Sequence, residues 1–142
     1  MTTTRKADTH WEGSLLDGKG AVTLASSQIG TFDVNWPARS AEPNGVTSPE
    51  ELIAAAHATC YSMALSHGLS QAGTAPTTVD THAEVDFKPG TGITEIRLTV
   101  RAAVPGLSAE DFQAAAENAK VNCPVSQALA SVPSIKLDAA LV

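Results

Sequence analysis

A chain of 142 residues is long enough to bury a core, and its length predicts a single domain spanning residues 1–142. The net charge of −6 argues against nucleic acid and anionic membrane surfaces as partners. No stretch is long and apolar enough to predict a transmembrane helix, and residues 1–10 lack an apolar signal region. We therefore expect a cytoplasmic protein, in which a reducing environment disfavours a static structural disulfide.

The first third of the chain predicts three short strands. Apolar runs at residues 11–16 and 21–25 flank an Asp-Gly-Lys-Gly stretch, and Asp-Gly between strand-like runs predicts a hairpin. A third strand is predicted over residues 31–36. Residues 38–47, which contain Pro, Asn and Gly, predict a loop that carries Arg39.

The segment from Ser48 to Gly68 predicts a long helix at the centre of the fold. Ser48 is a good N-cap, and Pro49 suits the first helical position. From Leu52 to Leu69 there is no formal charge, and apolar residues occupy nearly every face. This pattern predicts a helix that is buried and packed on most sides.

The rest of the chain predicts further strands and helices. Apolar and polar residues alternate over residues 79–87 and 96–104, which predicts a long hairpin. Ser108 begins a capping-box-like pattern at the start of a helix. The last strand is predicted over residues 135–139. This order of elements predicts an α+β fold in which antiparallel sheets accompany the long central helix.

The two cysteines, Cys60 and Cys123, are candidate reactive groups. Pro124 suits the first turn of a helix that runs to Ala130, so Cys123 lies at or near an N-cap, where the dipole and free N–H groups favour a thiolate. Cys60 lies within the central helix, where desolvation raises its pKa and makes it a poor nucleophile. To react, Cys60 needs a cation nearby. Two cysteines that merely pack in the core are the alternative.

Few charged residues are available to activate Cys60. Arg39 is the only Lys or Arg between residues 20 and 87, and Glu50 and Glu51 are the nearest carboxylates. Glu50 and Cys60 are ten residues apart, which is about 15 Å along an uninterrupted helix. They can share a site only if the helix breaks between them or if Glu50 reaches Cys60 of a second subunit.

A metal site is a competing interpretation of the same residues. His57 lies three residues before Cys60 and, with Cys123, offers three ligands for zinc. No paired-ligand motif accompanies them, so a packed or interface histidine is the favoured interpretation. Trp36 with Phe32 could line the apolar entrance that an organic substrate needs.

The sequence resembles a known family in several motifs. The resemblance lies first in Ser-Pro-Glu-Glu-Leu-Ile-Ala-Ala-Ala-His-Ala-Thr-Cys-Tyr-Ser-Met-Ala-Leu (residues 48–65) and Val-Asn-Cys-Pro-Val-Ser-Gln-Ala-Leu (residues 121–129). These runs resemble the osmotically inducible protein C and organic hydroperoxide resistance family. Its osmotically inducible branch is indicated by His-Trp-Glu-Gly at residues 10–13, Gly-Lys-Gly at 18–20 and Val-Pro-Gly-Leu-Ser at 104–108.

The resemblance implies a thiol-dependent peroxidase for organic hydroperoxides, and less efficiently for hydrogen peroxide, in oxidative and osmotic stress defence. It assigns peroxide attack to Cys60, which becomes a sulfenic acid, and resolution to Cys123, which condenses with it to a disulfide. Arg39 takes the role of the activating cation, and Glu50 that of its acidic partner. No haem, metal or other cofactor is implied.

The resemblance also implies partners. The family forms an intertwined homodimer with active sites at the interface, and its disulfide would be reduced by a dithiol of the lipoyl type or by a thioredoxin-like donor. Two other classes compete with the enzyme: a non-catalytic small-molecule or metal-binding module that uses the same buried pocket, and a purely structural stress protein.

Overall fold

Six strands and four helices follow one another in the computed structural model, which describes all 142 residues. Their bounds are β1 Asp8–Glu12, β2 Lys19–Thr23, β3 Thr31–Val34, α1 Trp36–Ser40, α2 Pro49–Gln71, β4 Thr78–Lys88, β5 Gly92–Ala103, α3 Ala109–Asn122, α4 Pro124–Ala128 and β6 Ile135–Leu141. Residues 1–52 and 53–142 form two compact units, each with its own three-stranded sheet. None of the four helices combines the length and the apolar character that crossing a lipid bilayer requires.

The sheet of the first unit is antiparallel in the order β1-β2-β3. The predicted hairpin is confirmed, since Glu12 pairs with Lys19, but the bounds of its first strand were wrong. β1 begins at Asp8 and ends at Glu12, so the apolar Leu15 and Leu16 fall outside it and are exposed.

A loop over residues 13–18 joins β1 to β2 in place of a tight Asp-Gly turn. Ser14 organises this loop, because its carbonyl accepts a hydrogen bond from Gly18 N–H at 2.8 Å and its hydroxyl accepts one from Asp17 N–H at 3.1 Å. A serine that closes a local turn with its own side chain and backbone competes with continuation of the strand.

The predicted loop over residues 38–47 was wrong at its start, because α1 includes Arg39. The side chain of Asn35 caps this helix, accepting a hydrogen bond from Ala38 N–H at 2.8 Å, and Pro37 occupies the first turn. Asn before a proline-containing first turn is a helix-start signal. As a result, Arg39 is held in the last turn of a short helix.

The central helix α2 is confirmed and is continuous from Pro49 to Gln71. The hydroxyl of Ser48 accepts a hydrogen bond from Glu51 N–H at 3.1 Å, as expected of an N-cap. One stripe of the helix is buried and contains His57, Tyr61, Leu65 and Leu69. A different face is exposed in the single chain and contains Ala55, Ala56, Thr59 and Met63.

The sheet of the second unit has the order β4-β5-β6. The predicted hairpin is the antiparallel β4–β5 pair, but β6 pairs with β5 in parallel, so this sheet is mixed rather than antiparallel throughout. A parallel return requires a long connection, which α3 and α4 supply. The α+β class is confirmed.

The core of the second unit lies between its sheet, α2 and α3. Its fully buried large side chains are Tyr61, Leu65, Leu69, Ile96, Leu98, Val100 and Phe112. On the outer face, Arg97 of β5 donates hydrogen bonds at 2.7 Å to Glu84 and Asp86 of β4, so opposite charges pair across the hairpin.

Candidate active site

The two cysteines come together in the second unit as free thiols. Cys60 is partly buried on α2, and Cys123 is fully buried at the junction of α3 and α4, where it is the C-cap of one helix and the N-cap of the other. The two thiols lie close enough for each to shift the pKa of the other, and Val125 N–H acts to lower the pKa of both. The Cys123 side chain makes no N-cap hydrogen bond, and sulfur is a weak acceptor.

The surroundings shift the pKa values of the two thiols in opposite directions. Burial raises the pKa of Cys60, and the neighbouring Cys123 raises it further against the effect of Val125 N–H. Burial also acts to raise the pKa of Cys123, but hydrogen bonds from Ser126 N–H, the Cys60 thiol, the Ser126 hydroxyl and Val125 N–H lower it overall. Both directions agree with those expected from sequence. Because α4 has only five residues, individual donors rather than a macrodipole are responsible.

Arg39 and Glu50 form an ion pair in the first unit. Nε of Arg39 lies 2.9 Å from Oε1 and 3.2 Å from Oε2 of Glu50, and Nη2 lies 2.9 Å from Oε1. Glu50 is buried in the first turn of α2, whereas a third of the Arg39 side chain is exposed. A guanidinium that bridges both carboxylate oxygens is fixed in orientation.

A cavity of about 360 Å³ in the first unit opens beside Arg39. Its walls are mostly apolar, and its large side chains are Trp11, Leu15, Val22, Val34, Trp36 and Leu52. Trp36 lines this cavity and Phe32 does not, and the role of Trp36 at a substrate entrance stays a prediction. Phe32 lines a separate hollow with Asp33, Pro43 and Glu51.

The four predicted site residues thus form two pairs. Arg39 and Glu50 belong to the first unit, and Cys60 and Cys123 belong to the second. Since α2 runs unbroken from its first turn past Cys60, the structure contains no helix break that would bring Glu50 to Cys60 of the same chain.

Two polar side chains behind the thiols were not identified as functional from sequence. His57 is fully buried, as the packed-histidine interpretation expects, and its Nε2 lies 2.7 Å from Oγ of Ser126. Ser126 carried a usable signal, because it is the third residue after an N-cap cysteine, where backbone N–H groups face the cap side chain. No three His, Cys, Asp or Glu side chains are grouped so that they could hold a metal ion.

The chain is similar in sequence to a known protein family. The model of the family described as OsmC-like protein matches residues 42–138. Peroxiredoxin OsmC of Escherichia coli (strain K12) is 44% identical over 132 residues, which cover 91% of this chain and 92% of that protein.

Solved structures share the fold. The organic hydroperoxide resistance protein OsmC of Legionella pneumophila superposes with a TM-score of 0.78 at 24% identity, covering 99% of this chain and 98% of that one. The organic hydroperoxide resistance protein OhrB of Bacillus subtilis gives a TM-score of 0.66 at 23% identity, covering 96% and 98%. With a family match over most of its length and a relative this similar, the chain belongs to the OsmC-like protein family.

Proposed function

We propose that this protein is a cysteine-based peroxidase that reduces organic hydroperoxides, and hydrogen peroxide less efficiently, in oxidative and osmotic stress defence. The observation that carries the proposal is the close approach of two free thiols, Cys60 and Cys123, each of which shifts the pKa of the other. The proposal is supported by the name peroxiredoxin of the Escherichia coli relative and by the hydroperoxide resistance named for the Legionella pneumophila structure.

Within the protein, only the two sulfurs change oxidation state in the reaction. The Cys60 thiolate attacks the terminal oxygen of the hydroperoxide, the O–O bond breaks, and the alkoxide takes a proton and leaves as an alcohol. Cys60 becomes a sulfenic acid. The Cys123 thiolate then attacks that sulfur, the S–O bond breaks, and the hydroxide leaves as water after taking a proton. Two thiols are oxidised to one disulfide for each hydroperoxide reduced.

Arg39, held by Glu50, would supply the cation that Cys60 needs to form a thiolate. Burial and Cys123 raise the pKa of Cys60, so the thiolate needs a cation to form at neutral pH. The Arg39 guanidinium, held by buried Glu50, would stabilise that thiolate and polarise the peroxide. The apolar cavity beside Arg39 would receive the organic part of the substrate.

The site would be completed by a second copy of the chain. Along the unbroken helix α2, Glu50 and Cys60 are about 15 Å apart. Arg39 with Glu50 of one copy would therefore act on Cys60 of the other, in an intertwined homodimer. The exposed small residues Ala55, Ala56 and Thr59 on α2 suit close helix packing between copies. In this arrangement residues 1–142 act as one domain.

The disulfide must be reduced again after each turnover. A dithiol reductant, either of the lipoyl type or thioredoxin-like, would do this by thiol–disulfide exchange in a cytoplasmic setting.

The test of this function is a thiol titration before and after adding a small alkyl hydroperoxide. We expect two thiols to be lost per hydroperoxide in the wild type, and turnover with a dithiol to be abolished in Cys60→Ser. Cys123→Ser should stop at a sulfenic acid that dimedone traps. A Cys60→Ala variant that consumes peroxide at the wild-type rate would refute the proposal and favour a structural protein.

A further inference from the structure

A buried histidine and serine lie behind the thiol pair, outside the steps described so far. His57 is fully buried on α2, and its Nε2 lies 2.7 Å from Oγ of Ser126, which is buried on α4. Nδ1 of His57 has no hydrogen-bond partner. Burying a polar pair with one unsatisfied atom costs stability relative to apolar packing. A role at the neighbouring thiols would account for that cost.

The unsatisfied Nδ1 indicates which ring nitrogen of His57 carries the proton. A buried N–H without an acceptor is rarer in proteins than an acceptor without its full set of donors, so we assign the proton to Nε2. Burial lowers the pKa of His57, which keeps the ring neutral. In this state Nε2–H donates to the Ser126 oxygen.

The hydroxyl hydrogen of Ser126 is then directed away from His57. Ser126 is the third residue of α4 and follows the N-cap Cys123 by three positions, close enough that its hydroxyl and backbone N–H both lower the pKa of Cys123. A hydroxyl that accepts from one side and donates to the other has a fixed direction. The resulting chain of donors runs from His57 through Ser126 to Cys123.

We propose that Ser126, oriented by His57, is a positioning residue for the resolving step, because its hydroxyl donates to the Cys123 thiolate that attacks the Cys60 sulfenic acid. The inference rests on the proposed peroxidase function. In this step the S–S bond forms and the S–O bond breaks. The sulfenic sulfur is reduced and the Cys123 sulfur is oxidised to the disulfide level, and the departing hydroxide takes a proton from solvent.

Other groups near Cys123 do not replace this donor. The titratable groups that act on it from α2 are Cys60 directly and His57 through Ser126, and Tyr61 also lies within electrostatic range. The Tyr61 hydroxyl donates to the carbonyl of Ala116 on α3 at 3.0 Å and is therefore directed away from the sulfur. Once Cys60 is a sulfenic acid, its S–H no longer acts on Cys123, whereas Ser126 and Val125 of α4 remain.

The experiment is a single turnover across a range of pH, following disulfide formation and dimedone-trapped sulfenic acid in wild type and Ser126→Ala. Losing a hydrogen bond to a charged group raises the pKa of Cys123, because it weakens the stabilisation of the thiolate by a factor of about ten. The thiolate then becomes scarcer but more nucleophilic. We expect resolution in Ser126→Ala to be roughly threefold slower at neutral pH and roughly threefold faster at alkaline pH, so that the two profiles cross.

A matched pair at His57 tests the same inference independently of how well Ser126→Ala folds. His57→Leu removes the donor and should shift the profile in the same direction, whereas His57→Gln keeps an amide N–H and should shift it less. Gln127→Ala, a change at the exposed neighbour of Ser126 on α4, is the control and should match the wild type.

Two outcomes would overturn the inference: a wild-type profile in both Ser126→Ala and His57→Leu, or a uniform slowing at every pH, which would indicate misplacement of Cys123. Failure of the proposed function is separate, because it would appear as a wild-type protein that loses no thiols to hydroperoxide.

Discussion

At the scale of single residues, the orientation of Arg39 matters as much as its charge. Its Nε and Nη2 reach a buried carboxylate, and a third of the side chain is left exposed beside the apolar cavity. A lysine ammonium is a point charge that cannot bridge the two oxygens of Glu50 in a fixed plane. In the proposed site, a lysine at position 39 would lack the two-point contact with Glu50, so its charge would be free to point away from the substrate.

This leads to a prediction for Arg39→Lys and Arg39→Ala. We expect kcat/KM for a small alkyl hydroperoxide to fall by about a hundredfold in Arg39→Ala, as when an electrostatic donor is removed from an active site. Arg39→Lys should lose nearly as much, because the bidentate contact is absent. Arg5→Lys, in the exposed N-terminal segment, is the control. A lysine variant with close to the wild-type rate would show that charge alone is sufficient.

Some features of the candidate site could be predicted from the sequence, and others could not. The positions of Cys60 and Cys123 within and between helices follow from capping and helix patterns, and so does the direction of each pKa shift. The hydrogen bond from His57 to Ser126 joins residues far apart in the chain, and no local pattern predicts which partner a buried histidine will find. The ion pair of Arg39 with Glu50 was expected from the family resemblance and not from residue spacing.

At the scale of elements, α2 and α3 are joined by one buried hydrogen bond. The hydroxyl of Tyr61 donates to the carbonyl of Ala116 at 3.0 Å, and Tyr61 is fully buried. Burial, together with the charges of Glu117 and Cys123, raises the pKa of Tyr61 well above its usual value. The helix pair therefore depends on a neutral tyrosine.

The corresponding prediction concerns Tyr61→Phe. Loss of the hydrogen bond should lower the free energy of unfolding by about 1 kcal/mol at neutral pH. In the wild type the raised folded-state pKa adds stability that is fully present below the ordinary tyrosine pKa of about 10 and is lost as pH rises through the folded value. Urea unfolding at neutral and alkaline pH should therefore show the variant losing less stability in alkali than the wild type. An equal alkaline loss in both proteins would contradict this.

Most elements were predictable because their signals are local. Caps at Ser48 and Ser108 and the alternation in β4 and β5 each determine an element within a few residues. Two of the errors have a common cause, which is a side chain that bonds to the nearby backbone. Ser14 turns the chain where an apolar run predicted a strand, and Asn35 starts a helix that runs into the segment predicted as a loop.

At the scale of the whole molecule, each unit holds only half of the proposed chemistry. The first unit offers the ion pair and the apolar cavity, and the second offers the thiols. The sheet of the first unit buries little of itself, since Val22 is its only buried strand residue. A three-stranded sheet needs a covered hydrophobic face to be stable. Both observations support the proposed dimer, which sequence could suggest only through helix length and family resemblance.

The dimer predicts that two inactive variants restore each other. Cys60→Ser keeps Arg39, and Arg39→Ala keeps Cys60, so a mixed dimer that works across subunits regains one complete site. After the two are unfolded together and refolded in equal amounts, random pairing should give roughly a quarter of wild-type peroxidase activity. Each variant refolded alone is the control and should stay inactive. If the mixture is as inactive as its components while gel filtration shows dimers, Arg39 and Cys60 act within one chain. The proposed site between two subunits would then be wrong.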